Sequence, residues 1–346
     1  MSADPIRYGI VGLGRAGWSI HVEGLRNRED AKIVAVADPM PERRDESKEA
    51  FGCETYESID ELLKDDNVEV VVIATPSFLH GPDTLKAFAA GKHVVVEKPM
   101  SMTLAEADSM IAASKKAGKK LLVHQNYRFN REFTHLYDVA NSGKIGKLFH
   151  VRNYISGFSR RNDWQCLQKN GGGVLNNTCP HFVDQILQLV GAPAKQVMGD
   201  LQHVVDAGDV EDHVKMFLRA ENGVTADMEI STSENVAVPL PKWVLCGTAG
   251  TLTCTGAQST IRFYDAEVAG PIEIREGAAP GRAYGNDDKL PWQEEVVDAV
   301  GPDWGNFYDN VYAVLRDGKD MIVTPESVRE VMRVIGLIRE GTNFPG

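Results

Sequence analysis

A lysine followed by a proline, Lys98-Pro99, ends the run Lys92 to Glu97 and is the first candidate for chemistry in this chain. The run contains three successive valines, which predicts a strand buried on both faces. Open α/β sheets bind their ligands beyond the carboxyl ends of the strands. Lys98 therefore stands where a ligand would lie, and its amino group can stabilise negative charge on a reacting oxygen. A lysine without this context would be interpreted as a solvated surface charge.

A glycine-rich turn after the first predicted strand is the second candidate. It consists of Gly12, Leu13, Gly14, Arg15, Ala16 and Gly17. The glycines permit a tight turn, close approach of a pyrophosphate and close packing of the following helix, whose first amides bind the anion. Asp38 ends the next predicted strand, where a carboxylate can accept hydrogen bonds from an adenosine ribose. Together these residues predict a dinucleotide site.

The choice between the two nicotinamide dinucleotides depends on the residues around Asp38. Its carboxylate favours NAD, because it would repel the 2′-phosphate of NADP. Arg43 and Arg44 begin the following predicted helix and are able to bind that phosphate. NAD is therefore the expected cofactor, and NADP is the alternative.

Thr75, Pro76 and His80 follow the buried run Val68 to Ala74 at the same edge of the predicted sheet. We expect Thr75 and Pro76 to line the nicotinamide side of the cofactor, with His80 near the ribose or the phosphates. The alternative is an ordinary strand exit in which Ser77 caps the next helix.

A further polar group is predicted in the second half of the chain. The segment Gly171 to Asp184 resembles a glycine loop that leads into a helix. At 3.6 residues per turn, Asn177, His181, Asp184 and Gln188 share one helix face. A polar face with an embedded histidine suits a cleft. The alternative is a satisfied, partly buried histidine beside a solvated stripe.

Length and composition restrict the class of protein. The chain has 346 residues, a formal net charge of −12 and a pI near 5.3. The length suits two domains, and the acidic balance opposes nucleic-acid binding. No apolar run approaches the ~18 residues that span a bilayer, and no signal peptide is recognisable, so we expect a cytoplasmic protein without a membrane partner. Five scattered cysteines never form a Cys-x-x-Cys pair, so we expect reduced thiols and no metal site.

Residues 1–125 alternate strand-like and helical segments, which predicts βαβ units around a parallel sheet. The predicted strands are Ile6 to Val11, Ile33 to Asp38, Val68 to Ala74, Lys92 to Glu97 and Lys120 to His124. The predicted helices lie near Ala16 to Arg26, Pro41 to Phe51, Ser58 to Leu63, Leu79 to Ala90 and Leu104 to Ala117.

Residues 126–346 follow a different pattern, in which alternating strands are joined by tight turns such as Asn222-Gly223. This predicts a second α/β domain with a mostly antiparallel sheet. The predicted strands are Val214 to Arg219, Val224 to Ser231, Trp243 to Cys246, Thr251 to Cys254, Ile261 to Tyr264 and Ile272 to Arg275. The predicted helices are Gly173 to Leu189, Trp304 to Arg316 and Pro325 to Glu340, and the last two can pack back on the first domain.

The motifs occur in an order typical of one family. The Gly12 to Gly17 loop, Asp38, Thr75-Pro76, Glu97-Lys98-Pro99 and the Gly171 to Asp184 segment follow one another along nearly the whole chain. The sequence resembles the glucose-fructose oxidoreductase, inositol dehydrogenase and rhizopine-catabolism (Gfo/Idh/MocA) family. The resemblance implies a Rossmann domain and a second domain whose open sheet forms a homodimer or homotetramer. It also implies NAD(P)-dependent oxidation or reduction of a sugar, polyol or related carbinol.

The resemblance assigns catalytic roles to Lys98 and His181. The aspartate that the family places four residues before the histidine is Asn177 here, which is a departure. Asparagine cannot exchange a proton near neutral pH, although it can donate and accept hydrogen bonds. We therefore expect His181 to be the general base, Lys98 to act electrostatically and Asn177 to orient the substrate or the histidine. A desolvated Lys98 acting as the base is the alternative.

Other residues near the motifs complete the predicted site. Glu97, Lys98 and Asn126 are expected to contact the cofactor. The expected substrate-binding residues, besides Asn177 and His181, are Tyr127, Arg128, Arg152, Arg160, Asp163 and Trp164. Arg152 has an alternative as a surface ion pair of a strand, and Trp164 as a core anchor.

Three functions agree with these residues. The first is an NAD(P)-dependent dehydrogenase or ketoreductase that acts on a hydroxyl or keto carbon of a sugar or polyol. The second is a redox-assisted glycoside-cleaving enzyme with a retained NAD, which the change to Asn177 favours. The third is a non-catalytic dinucleotide sensor, which the presence of Lys98 and His181 opposes.

Overall fold

The computed structural model describes residues 4–256, 258–272, 274, 276–278, 289–298 and 306–344. Sheet A has six parallel strands in the order β3-β2-β1-β4-β5-β6. These strands are β1 (Ile6–Val11), β2 (Ala31–Ala37), β3 (Glu54–Tyr56), β4 (Val70–Ile73), β5 (His93–Val96) and β6 (Leu121–Val123). The strand order reverses at β1, between β2 and β4, which is the point where doubly wound sheets open a ligand crevice.

Helices cover sheet A. The chain enters the first of them through a π-helical turn, Gly17–Val22. The following α-helices are α1 (Glu23–Leu25), α2 (Pro41–Phe51), α3 (Ile59–Leu62), α4 (His80–Ala89) and α5 (Leu104–Ala117). Because both faces are covered, β4 is completely buried, as its continuous apolar sequence predicts.

Sheet B has eight strands in the order β14-β13-β12-β11-β7-β10-β9-β8. They are β7 (Leu148–Ser156), β8 (Ala194–Gln202), β9 (His213–Ala220), β10 (Thr225–Ser231), β11 (Trp243–Gly247), β12 (Gly250–Cys254), β13 (Gln258–Phe263) and β14 (Gln293–Asp298). Only β7 and β10 pair in parallel; the other neighbouring strands are antiparallel. The predicted mixed α/β fold is confirmed.

The remaining α-helices are α6 (Arg131–Asn141), α7 (Val174–Asn177), α8 (Cys179–Val190), α9 (Ala266–Ala269), α10 (Asn306–Arg316) and α11 (Pro325–Arg339). Of these, α6, α7, α8 and α11 contact strands of sheet B. Helix α11 contacts α8 and β8 on one side and α5 and β6 on the other. The closing helices therefore pack back on the first sheet. In the described part of the chain, no helix is long and apolar enough to cross a membrane.

Several predicted elements differ from the structure. The predicted helix Gly173 to Leu189 is two helices, interrupted at Thr178, because Pro180 in the first turn of α8 has no N–H to continue a helix from before it. The predicted strand Ile272 to Arg275 is wrong where it is described, since Ile272 and Ile274 lie outside strands. Residues 273, 275, 304 and 305 of the predicted elements lie outside the described residues. No predicted strand range corresponds to β3, β7, β8 or β14. The proposed boundary after residue 125 stays a prediction.

Candidate active site

The glycine loop has the geometry that a dinucleotide requires. A Cβ atom on Gly12 would lie 2.6 Å from the Ala74 carbonyl oxygen, and one on Gly17 would lie 1.8 Å from the Gly12 carbonyl oxygen. Neither position tolerates a side chain, and Gly12 also has a positive φ of 87°. Nothing lies within 4 Å of the corresponding position on Gly14. The first and third glycines therefore serve close packing, and the second leaves the backbone open to a pyrophosphate.

Asp38 holds this loop through hydrogen bonds. Its carboxylate accepts hydrogen bonds from the Leu13 N–H at 2.8 Å and the Met40 N–H at 2.9 Å. The guanidinium of Arg43 lies 3.2 Å from the same carboxylate, and Arg44 donates to the Asp38 carbonyl at 2.7 Å. Asp38 is thus placed at the end of β2 beside the loop, where the ribose of a bound dinucleotide is expected.

The structure gives His80 a role other than the predicted contact with ribose or phosphates. The side chain is 1% exposed, and its Nδ1 lies 2.7 Å from the Pro99 carbonyl while its Nε2 lies 2.9 Å from the Thr75 carbonyl. His80 therefore ties the loop after β4 to the loop after β5. Burial lowers its pKa. Ser77 is not a helix cap either, because no side chain caps that turn, whose N-cap residue is Pro76.

Lys98 extends from the end of β5 across to the second half of the chain. Its ammonium group donates to the Asn177 carbonyl at 2.7 Å. Desolvation lowers the pKa of Lys98, the charge of Glu97 opposes this shift, and the charge of Arg15 adds to it. The catalytic candidate of the first sheet thus contacts the last residue of α7, Asn177, just before the helix that carries His181.

His181 lies in the first turn of α8, near Lys98. Its side chain is 8% exposed and stacks on the Tyr127 ring, with the ring centroids 3.9 Å apart and an interplanar angle of 18°. Burial, together with the charge of Lys98, holds its pKa well below the usual 6.5. The buried Nδ1 bonds to no group among the described residues. His181 is therefore a neutral imidazole at physiological pH and can accept a proton.

Asn177 is oriented by a neighbour that the sequence did not reveal. Its Oδ1 accepts a hydrogen bond from Gln165 Nε2 at 3.2 Å, and the other side-chain atom of Gln165 accepts one from Arg161. With its oxygen occupied, Asn177 presents its amide nitrogen as the group available to a ligand. No motif singles out Gln165, since a glutamine twelve residues from Asn177 has no distinctive spacing.

Glu97 does not fit the predicted cofactor contact. It is 5% exposed, and its two oxygens accept bonds from His21, His124 and the backbone N–H of Lys98. The carboxylate points into the protein because these donors are buried there. Asn126 is also buried, at 8% exposure, and its Oδ1 has no partner in the described part of the chain.

Two of the predicted substrate-binding arginines form ion pairs within the protein instead. Arg128 forms a buried, bidentate ion pair with Asp184, at 2.7 and 2.5 Å, and also donates to Ser327 Oγ. It joins α8 to α11 and has no free face for a substrate. Arg152 extends from β7 on the face of sheet B opposite to α8, beside Asp227 at 3.9 Å. Its alternative as a strand-surface ion pair is the arrangement that the structure shows.

The loop between β7 and α7 carries the other predicted substrate residues, which are exposed. Asp163 caps the short 3-10 helix Trp164–Cys166 by accepting the Gln165 N–H at 2.9 Å. Desolvation acts to raise the pKa of Asp163, but bonds from Arg161 and the Gln165 N–H, with the charge of Arg15, lower it. This loop therefore lies near the glycine loop. Trp164 is 45% exposed and is not a core anchor, and Arg160 is exposed as well.

Comparisons with known proteins agree with this geometry. Residues 6–125 match the model of an oxidoreductase family with an NAD-binding Rossmann fold, and residues 133–253 match the C-terminal domain of the same family. The chain belongs to the Gfo/Idh/MocA oxidoreductase family. The predicted membership of this oxidoreductase family and the predicted NAD-binding Rossmann domain are thus confirmed.

Two of the similar proteins have names that include a substrate. A myo-inositol 2-dehydrogenase of Thermotoga maritima is 35% identical over 224 residues, which are 63% of this chain and 66% of that protein. The chain thus aligns with only about two thirds of this relative. The NADP⁺-dependent scyllo-inositol 2-dehydrogenase of Bacillus subtilis is 25% identical, over 98% of this chain and 94% of its own length.

Solved structures show the same fold over nearly the whole length of the chain. An NAD-binding protein from Listeria innocua has a TM-score of 0.80 and 28% identity, over 97% of this chain and 94% of its own. The WlbA dehydrogenase of Bordetella pertussis, solved with NADH and UDP-GlcNAcA, has a TM-score of 0.77 over 97% of both chains. At 21% sequence identity, this similarity is evidence for a shared fold and not for a shared substrate.

Proposed function

We propose that this protein is an NAD-dependent dehydrogenase that acts on a secondary hydroxyl carbon of a polyol or sugar, with inositol-like substrates first among them. The observation that carries the proposal is that Lys98 bonds to the Asn177 carbonyl and acts on a neutral His181, while the charge of Arg15 in the glycine loop acts on Lys98. Two relatives with inositol dehydrogenase names support the substrate class.

The residues divide the work of the reaction as follows. NAD, when bound, supplies the hydride acceptor. His181 accepts the proton of the substrate hydroxyl, and the ammonium group of Lys98 stabilises the alkoxide character that develops on the oxygen. The Asn177 amide nitrogen donates a hydrogen bond to a neighbouring substrate oxygen. Tyr127 holds the plane of the His181 ring through their stacking contact.

A substrate screen tests this proposal. The purified protein is mixed with NAD and a panel of inositols, monosaccharides and glycosides, and NADH is followed at 340 nm. Stoichiometric NADH with a carbonyl product is expected. Cleavage of a glycoside without net NADH would favour the second candidate, in which a retained NAD transiently oxidises the sugar. The amide at Asn177 favours that candidate, because it leaves the pair of Lys98 and His181 without the carboxylate of the family pattern.

The pH dependence distinguishes the two possible bases. If His181 is the base, kcat/KM for alcohol oxidation is retained at pH 7 and falls as the pH drops through a pKa below 6.5, because protonation removes the acceptor. At alkaline pH, kcat/KM falls again as Lys98 loses its proton, with a pKa below 10.5. A profile that instead rises through the Lys98 pKa and shows no acidic group would assign the base to Lys98. The measurement is kcat/KM from pH 4.5 to 10 with a saturating cofactor.

Asp38 is expected to set the cofactor preference. Its carboxylate repels a 2′-phosphate, and Arg43 lies 3.2 Å from it. Asp38→Ser should lower kcat/KM with NAD about ten-fold and raise kcat/KM with NADP, because the neutral side chain frees Arg43 for the phosphate. Glu57→Ser, which removes an exposed carboxylate beside Arg44, is the control. An unchanged preference in Asp38→Ser would contradict the role of Asp38.

We also propose that the open face of sheet B pairs with a second copy of the chain, as a homodimer or half of a homotetramer. This face carries exposed apolar side chains, including Met198 at 68% and Leu240 at 55% exposure, around a cavity of about 690 Å³. The ion pairs His150–Asp227 and Lys215–Glu229 lie on the same face. Light scattering after gel filtration tests the assembly, and Met198→Asp should weaken it.

The cytoplasm remains the proposed location, in agreement with five free cysteines.

A further inference from the structure

A buried group of four side chains, which we call the carboxylate cluster, lies directly behind Lys98. It consists of His21, Glu97, His124 and Tyr308. One oxygen of Glu97 accepts from His21 Nε2 at 3.0 Å and from His124 Nδ1 at 2.7 Å, and the other accepts from the Lys98 N–H at 3.1 Å. Each member is 5% exposed or less.

The protons of the carboxylate cluster can be assigned from its contacts. Burial raises the pKa of Tyr308 well above 10, so its hydroxyl stays protonated. This hydroxyl donates a hydrogen bond to His21 Nδ1 at 2.7 Å. His21 Nδ1 is therefore the unprotonated nitrogen, and Nε2 carries the hydrogen that Glu97 accepts. Burial also lowers the pKa of His21, which agrees with a neutral ring. Desolvation acts to raise the pKa of Glu97, but the charge of His124 and the hydrogen bonds from His124 and His21 outweigh it, so Glu97 is held as a carboxylate.

This carboxylate has no arginine or lysine side chain bonded to it among the described residues. Its negative charge is therefore available to nearby cations across the protein interior, where charges are poorly screened. The same charge raises the pKa of both Lys98 and His181, against the desolvation that lowers them. Glu97 thus influences both candidate catalytic groups without touching the substrate.

The carboxylate cluster also joins three separate parts of the fold. Glu97 follows β5 and His124 follows β6, at the carboxyl edge of sheet A. His21 belongs to the π-helical turn that begins at the last glycine of the glycine loop, and Tyr308 belongs to the closing helix α10. Hydrogen bonds through the carboxylate cluster therefore connect the segment that carries Lys98 to the pyrophosphate-binding turn and to a helix near the end of the chain.

We propose that the carboxylate cluster is a positioning device for Lys98, which favours the cationic lysine through a buried carboxylate directly behind it and fixes the Lys98 backbone to the cofactor-binding turn. The inference rests on the proposed function, in which a cationic Lys98 stabilises the alkoxide. None of the cluster residues contacts the reacting atoms, so each acts through Lys98.

The decisive measurement is the titration of Lys98 itself. Competitive acetylation with acetic anhydride in the presence of NAD, with peptide mass spectrometry, gives the pH midpoint at which Lys98 becomes reactive. Glu97→Gln keeps the shape of the side chain and removes its charge, and it should lower this midpoint by at least about one pH unit. Asp108→Asn, which changes an exposed carboxylate paired with Arg329, should leave it unchanged. A folded Glu97→Gln protein with the wild-type midpoint would overturn the proposal.

A second pair of variants keeps the test decisive if Glu97→Gln does not fold. His21→Leu removes one donor to Glu97 and should lower the Lys98 midpoint by a smaller amount, because the carboxylate is then less firmly held behind the lysine. His21→Gln retains a nitrogen donor towards Glu97 and an acceptor towards Tyr308, and should keep the wild-type midpoint. Equal midpoints in the two variants would contradict the proposal. Neither measurement requires turnover, so failure of the substrate screen would leave this test intact.

Discussion

Replacing Lys98 by methionine is expected to lower kcat at least ~100-fold, while the Kd of NAD changes by less than about three-fold. Methionine keeps the length and apolar stem of the side chain but removes the charge that stabilises the developing alkoxide. The ammonium group contacts the Asn177 carbonyl, so its loss affects the substrate side of the cleft and leaves the glycine loop intact. The measurement is single-turnover NADH formation with the best substrate of the screen, together with cofactor titration by fluorescence.

The matched control for this variant is Lys86→Met. Lys86 lies on α4 and pairs with Asp60 at 2.9 Å, and both side chains are exposed. It should retain wild-type kcat. If Lys98→Met kept more than about one tenth of the wild-type kcat, electrostatic stabilisation by Lys98 would be wrong, since a general loss of charge cannot be the cause when Lys86→Met is normal.

His181→Ala is the second variant with a large expected effect, a loss of at least ~100-fold in the chemical step. The neutral ring is the proton acceptor in the proposed reaction, and the side chain that stacks on it, Tyr127, cannot replace it at neutral pH because burial raises the Tyr127 pKa. The cavity left by the ring should admit free imidazole. Added imidazole is therefore expected to restore part of the rate, with a pH dependence that follows its own protonation.

His93→Gln provides the control for the histidine variant. His93 begins β5 at the amino edge of sheet A, opposite to Lys98. Desolvation and the nearby lysines lower its pKa to about 4, so it is a neutral histidine without a role in the cleft. It should keep the wild-type rate and show no response to imidazole. Near-normal turnover in His181→Ala would exclude His181 as the base and leave Lys98 as the remaining candidate.

Local patterns predicted the cofactor side of the cleft well. The glycine loop and Asp38 lie at the ends of consecutive strands, and their roles depend on backbone geometry within a single βαβ unit. The structure gives Gly12 and Gly17 the close backbone approaches and Gly14 the open position that the motif requires. Such features survive in the sequence because neighbours along the chain create them.

The side chains that were misplaced have partners far away in the sequence. Arg128 pairs with Asp184, Glu97 with His21, and His80 with the Pro99 carbonyl. A buried charge or imidazole must find a partner when water is removed, and that partner is chosen by packing. Motif spacing identified these residues as important but could not decide whether they face the ligand or the interior.

The amino-acid sequence by itself determined the parallel sheet, the dinucleotide turn, the position of Lys98 beyond β5 and the family to which the chain belongs. These features depend on local periodicity and on glycine, whose conformational freedom leaves a recognisable pattern. Tertiary structure alone decided which polar residues meet in the cleft, that His181 is held as a neutral ring by burial, and that Glu97 lies behind Lys98 with two histidines. Burial and pairing depend on contacts between distant segments, and these exist only after the two sheets and the closing helices have packed together.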